Sequence, residues 1–291
     1  MRDRRGAGRE GTGGDGSGSG TRHRRAPVRR RTRWRLDAGA RRRWLRRWRH
    51  TPPAGRLLVG LLLAIAAALL VNALYQVLRK PTELLFPVSG VLAKTPDETW
   101  RAYGSAFRRY ATKSIAPELL AALAQVEGAG NPLVRTYWRW SWRIKPFEVY
   151  RPASSAVGMY QITDGTFAEA RQYCIHDHQL AHAGAWNDWH ACWFNGLYLR
   201  IVPRDAIELT AAYLDLKVND ILAAQPHPAS ATQRNHLAAV VHLCGAGAAL
   251  GYAERRFRFR EGQRCGDHDP REYLRKVDGM ETIFARLAAR S

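Results

Sequence analysis

PELLAALAQVEGAGNP, Pro117 to Pro132, is the stretch whose reading decides the fold. Pro117 suits the first turn of a helix, where its missing N–H has no partner to lose. Leu119, Leu120, Leu123 and Val126 follow at helical spacing, and Gly128, Gly130 and Pro132 stop the helix abruptly. Glu127 ends the helical segment and shares the face of Leu120 and Ala124, the side expected to be buried. A carboxylate there is disfavoured by loss of water and by the partial negative charge of the helix C-terminus. Both effects raise its pKa, the condition for a general acid near neutral pH. The plain alternative is a glutamate at a frayed helix end, or one paired with an arginine.

Outward from this helix the chain reads as further helices with loops. Thr95 caps a helix that has Pro96 in its first turn, and Thr163 or Asp164 and Asp205 mark further starts. Ser230 with Gln233 has capping-box spacing, and Asp269-Pro270-x-Glu272 follows the same logic. Only Tyr137 to Trp142 alternates well enough for a strand. The expected class is mostly α, with one small hairpin and no internal repeat.

Upstream, LLVGLLLAIAAALLVNALYQVL runs uncharged from Leu57 to Leu78, with Asn72 and Gln76 as its main polar interruptions. As a helix it is roughly 33 Å long, enough for a bilayer core. Arg79, Lys80 and Pro81 follow, without the small-residue cleavage site of a signal peptide, so a transmembrane helix is expected.

The net charge of +21 is concentrated before this helix. Residues 1 to 56 hold 19 Arg and four acids, or +15, which leaves 21 − 15 = +6 for the other 235 residues. The excess reads as a topology signal, with the tail cytoplasmic and residues 81 to 291 facing the other side. A tail that binds nucleic acid instead would do so with strong salt dependence. Gly6 to Gly20 lacks the apolar surface to order itself, and Arg22 to Arg49, with Trp34, Trp44 and Trp48, suits either a basic tail or an interfacial helix on anionic lipid. The expected layout is a disordered Arg/Gly-rich tail over 1–55, a membrane helix over 56–79, a linker over 80–95 and a folded domain over 96–291. An apolar share of 46% excludes wholesale disorder, and four cysteines exclude a disulfide-built miniprotein.

With Glu127-Gly-Ala-Gly-Asn131-Pro132 and the later turn Val157-Gly158-Met159-Tyr160-Gln161-Ile-Thr163, the sequence resembles the lysozyme-like soluble lytic transglycosylase family. In that family a helix ends in the catalytic glutamate before Asn-Pro, and a Gly-Leu-Met-Gln element lines the glycan cleft. Here Gly128 stands where Ser is usual, and Met159-Tyr160 replaces Leu-Met. The family's Ala-Tyr-Asn-Ala-Gly segment has its counterpart in Val241-His242-Leu243-Cys244-Gly245-Ala-Gly247, which puts the usual substrate contact in question. Glu272-Tyr273-Leu-Arg-Lys-Val277 matches a Glu-Tyr-Val-x-x-Val element. The resemblance covers about residues 98 to 289.

The resemblance implies a lysozyme-like domain that cleaves the β-1,4 bond between N-acetylmuramic acid and N-acetylglucosamine and forms a 1,6-anhydro sugar. Glu127 would be acid and then base; Gly158, Met159, Tyr160, Gln161, His242 and Tyr273 would line the substrate site. No cofactor or metal is called for. The expected partners are peptidoglycan strands and the lipids of a bacterial inner membrane, with the catalytic domain periplasmic. Hydrolysis, as in goose-type lysozymes, would need a second carboxylate, for which Asp164, Glu148 and Asp188 are available. A catalytically weak wall-binding or assembly factor is the reading from a different class, motivated by His242-Leu243.

Two further features stand apart. The segment TYWRWSWRIKPFEVYR, up to Arg151, is aromatic and cationic; Tyr137, Trp138, Trp140 and Trp142 suit sugar faces and Arg139 or Arg143 peptide carboxylates, or the aromatics pack a lobe or touch the bilayer. In an oxidising compartment the simplest cysteine pairing is local, Cys174 with Cys192 and Cys244 with Cys265. The competing idea is a metal held among Cys174, His176, His178, His182, His190 and Cys192.

Overall fold

The structure, a computed structural model, describes residues 38–85, 89–141, 147–185 and 187–291. Gly6 to Gly20, Trp34, Trp142 and Arg143 lie outside the described residues. The chain divides into two compact units, Met1–Leu61 and Leu62–Ser291.

In the first unit Ala38–His50 forms α1. These residues fall in the stretch expected as a disordered tail or, over Arg22 to Arg49, as an interfacial helix. Alanine and arginine are both strong helix formers, and the basic residues Arg47, Arg49 and His50 in the last turn complement the helix dipole.

Helix α2, Pro53–Arg79, is 27 residues long and apolar enough to cross a membrane. Most of its leucines are exposed, and the residues it buries are Asn72 and Gln76. Its exposed apolar surface is what a lipid-facing helix carries.

The stretch 80–95, expected as a linker, is ordered in part. Pro81–Leu85 and Gly90–Leu92 form 3₁₀ turns, and Glu83 is buried. The cause is a long-range cluster: Glu83 binds Lys80 at 3.2 Å and Arg135 at 2.8 Å, and accepts the Trp138 indole N–H at 2.8 Å. Burial works to raise the Glu83 pKa, but these hydrogen bonds and the Lys80 charge outweigh it and hold the carboxyl below its usual range.

The folded domain is mostly α. Helix α3, Pro96–Tyr110, starts at the expected cap Thr95, which forms a full capping box with Glu98, each side chain satisfying the other's backbone N–H. Helix α4, Pro117–Gly128, is buried on every side, with Leu119 to Ala124 all at 0% exposure. Helix α5 spans Asp164–Ala170, α6 Pro203–Ala223, α7 Ala231–Cys244, α8 Ala246–Glu254 and α9 Pro270–Ala288. Helices α3, α6 and α9 all contact α4, whose short Ala and Leu side chains let them approach closely.

The Ser230–Gln233 capping box of α7 is present. At α9 Asp269 caps the Arg271 N–H, whereas Glu272 pairs with Lys276 and not with the cap, so only half of the expected box forms.

Two antiparallel hairpins complete the fold. β1, Trp138–Trp140, pairs with β2, Tyr150–Pro152, where the sequence alternates. β3, Tyr173–His176, pairs with β4, Gln179–His182, around Asp177 and His178, both with positive φ as a two-residue hairpin turn requires. This second hairpin was not expected. Cys174–Cys192 and Cys244–Cys265 are disulfides, the local pairing anticipated, with Cα separations of 5.8 and 5.1 Å.

Candidate active site

Glu127 stands in the last turn of α4. That helix stops at Ala129 in the left-handed conformation, whose N–H returns to Ala124 and Gln125. Gly130 follows with φ +61, and a Cβ there would collide with the Thr99 side chain. The tight end presses the last turn against a second element, since a Cβ on Gly128 would lie 2.9 Å from both Cα and O of Met159. Only glycine fits beside Glu127, and no serine can take its place without a shift of backbone.

The second element is the turn Val157–Ile162. The two end residues bridge antiparallel, Gly158 donates to Val134 O at 3.1 Å, and Gly158 holds φ +80 against the Arg200 carbonyl. Gln161 has φ 47, and its side-chain amide donates to Val134 O at 3.2 Å and Gly158 O at 2.9 Å. Its amide group thus clamps the turn. Arg200 locks the same turn from outside, donating to Ser155 O at 3.0 Å and Ile162 O at 2.8 Å.

Met159 and Tyr160 have no exposed surface. The Tyr160 hydroxyl donates to Leu120 O at 3.0 Å. Their side chains therefore form the floor beneath the turn, and neither residue presents surface to a ligand.

Tyr273 and His242 arrive from α9 and α7. The Tyr273 hydroxyl donates to Glu127 Oε1 at 2.6 Å, across 146 residues of chain. His242 Nε2 lies 3.7 Å from the same oxygen, too far for a hydrogen bond but within ion-pair distance. His242 also meets Tyr160 edge-on, with ring centroids 6.4 Å apart. Burial, then the Glu127 charge and the hydrogen bond to it, push the Tyr273 phenol well above its usual pKa, so it stays a neutral donor. Side-chain exposures of 18% for Glu127 and 12% for His242 leave both partly open. A cavity of about 230 Å³ adjoins His242, lined also by Gln161, Thr163, Thr166, Tyr213 and Gly245.

The structure thus brings Glu127, Tyr273, His242 and the Gly158–Gln161 turn together. It engages the other candidates elsewhere. Asp164 pairs with Arg200 at 2.8 Å. Glu148 sits between Arg79 and Arg151, at 3.3 and 3.4 Å. Asp188 caps the His190 N–H at 2.9 Å. Of the described aromatics of the insertion, Trp138 and Trp140 pack on Tyr150, with ring centroids 5.2 and 4.8 Å away. The sulfurs of Cys174 and Cys192 come within 4.8 Å of a His176 nitrogen, but they are bonded to each other and so are not thiolate ligands. His178 Nδ1 is 2.7 Å from Ala111 O.

Arg200 is the site residue that reading the sequence missed. It lies 42 positions after Gly158 in a segment without periodicity, and nothing local marks it as the clamp of that turn. No protein-family model matches the chain, and no curated protein matches it in sequence.

Proposed function

We propose that the chain is a membrane-anchored, lysozyme-like lytic transglycosylase that acts on peptidoglycan outside the cytoplasmic membrane, with Glu127 as its one acid/base. The hydrogen bond from Tyr273 to Glu127, in a partly open site beside a glycine turn, carries this reading. A merely structural glutamate at a helix end has no need of a buried phenol from the far end of the chain.

On this reading Tyr273 occupies Oε1 and fixes the carboxyl group, which leaves Oε2 to the substrate. Glu127 gives its proton to the glycosidic oxygen as the sugar C1–O bond breaks, and the N-acetylglucosamine side leaves with a free hydroxyl. Glu127, now a carboxylate, takes the proton from the muramoyl 6-hydroxyl as that oxygen bonds to C1. The product is the 1,6-anhydro sugar, and the enzyme is returned protonated. No water is consumed, so no second carboxylate is needed. The engagement of Asp164, Glu148 and Asp188 with other partners favours this outcome over hydrolysis.

General acid/base help of this kind contributes about a hundredfold or more to rate. Glu127→Gln in the full chain should therefore lose at least that factor in muropeptide release from purified sacculi. A variant that still sediments with sacculi but retains wild-type release would remove Glu127 from the chemistry. A wild-type protein that binds sacculi without releasing anything would favour the wall-binding reading.

A further inference from the structure

Asn72 and Gln76 are odd residues for a helix that meets lipid, because an unpaired amide in hydrocarbon is costly. They lie four apart, on one face of α2, with exposures of 4% and 5%. Asn72 donates to Tyr150 O and Gln76 to Phe147 O, both at 2.6 Å. The Tyr75 and Phe147 rings are 5.4 Å apart. The arm that leads into β2 is thus tied to α2 before its charged end at Arg79. At about 1.5 Å per residue, Asn72 is roughly 10 Å and Gln76 roughly 5 Å short of Arg79 along the axis. If Arg79 and Lys80 mark the level of the headgroups, Phe147 and Tyr150 are below it.

The outward side chains of this hairpin fit that depth. Tyr137, Trp140, Phe147 and Val149 are 65%, 57%, 44% and 43% exposed. Glu148, the acid on this arm, is neutralised by Arg79 and Arg151, so it carries no bare negative charge into the interface. Arg139 is exposed and long enough to reach lipid phosphates while its stem stays apolar.

We propose that the β1–β2 hairpin is a second membrane element, seated beside α2 in the interface of the outward leaflet. Tyr and Trp side chains favour that layer. The stem of the hairpin is continuous with the Glu127 site: Arg135 bridges to Val157, and Val134 O receives both the Gly158 N–H and the Gln161 amide. Insertion therefore fixes the height of the site above the bilayer and directs it to polymer close to the membrane. The inference rests on α2 spanning the membrane and not on the chemistry of Glu127.

Spin labels on the full chain in phosphatidylcholine/phosphatidylglycerol nanodiscs test it. Single cysteines replace Leu69, Trp140, Val149 or the exposed loop residue Glu261, and oxygen is compared with a water-soluble nickel chelate as relaxant. Labels at 69, 140 and 149 should favour oxygen, and the label at 261 nickel. Labels at 140 and 149 that behave like 261, with 69 still favouring oxygen, would overturn the proposal while sparing the membrane helix. A label at 69 that favours nickel would overturn both. With no added cysteine, Trp140→Phe should lose part of the tryptophan quenching caused by brominated lipids; unchanged quenching would count against insertion.

Discussion

Helices α2 and α4 are both built mainly from Leu and Ala, and their surroundings are opposite. In α4 the residues Leu119 to Ala124 have no exposed surface, and the acid Glu127 stands at the partly open end. In α2 the leucines are exposed and two amides are the buried residues. Length separates the two, since 12 residues reach only about 18 Å and 27 about 40 Å. What surrounds each helix then decides the meaning of its polar residues. In α4 the exception opens toward a site; in α2 the exceptions hold another part of the chain.

That contrast breaks most readily in the core of α4. Leu120→Ala should cost about 3 kcal/mol, because α3, α6 and α9 cannot all collapse onto the space it leaves. Leu70→Ala in α2, at 61% exposure, should leave the folded domain within about 0.5 kcal/mol of wild type. Thermal melting of the detergent-solubilised chain should show a drop on the order of 10 °C for the first. Equal drops would mean that α2 is packed like α4.

Next in size is the cluster that orders 80–95. Glu83→Ala leaves Arg135, Lys80 and the Trp138 N–H without their shared acceptor, a loss of about 3 kcal/mol when one partner of a buried pair is removed. The loss should appear first as protease sensitivity between α2 and α3. Cleavage no faster than in wild type would show that the cluster does not order this segment.

A smaller effect sharpens the other side of the comparison. Asn72→Leu with Gln76→Leu makes α2 more apolar yet should loosen the hairpin by about 1 kcal/mol per hydrogen bond. The Ser141 amide, bonded to Val149 O at 2.7 Å, should then exchange faster. Unchanged exchange there would separate the hairpin from the helix.

The smallest expected effect is on pH dependence. Burial, then the charge of Asp278, raises the Glu281 pKa to about 7, against the hydrogen bond from Asn235; Glu118 adds to the rise, and His236 faces Asp278 at 2.9 Å. The native state holds a proton that the unfolded chain, with its ordinary value of 4.5, has already lost. Stability should therefore fall as pH rises from about 4.5 to about 7, by about 1 kcal/mol once partial solvent access is allowed for. Glu281→Gln should flatten melting temperature over that window; an unchanged slope would assign the dependence to another group.

Most of the helical frame was legible because its signals are local. Thr95, Ser230 and Pro117 each act within four residues, and α2 is an unbroken apolar run. What escaped depends on partners distant in sequence. The β3–β4 hairpin is four residues a side, too short for alternation to register, and Cys192 binds it from outside. Glu83, Asn72 and Gln76 looked like linker or interruption because their hydrogen-bond partners are 52 to 78 positions away. At the site, position on α4 singled out Glu127, and the resemblance to a family put Tyr273 among the residues lining the site. Arg200 and the burial of Met159 and Tyr160 needed the fold.

The reading of Glu127 as sole acid/base is tested most directly by the oxygen at the new chain end. Sacculi digested by the full chain in oxygen-labelled water should release anhydromuropeptides that carry no label, and Glu127→Gln should release none. Labelled reducing ends from the wild-type protein would mean that water is the nucleophile, and would contradict the account.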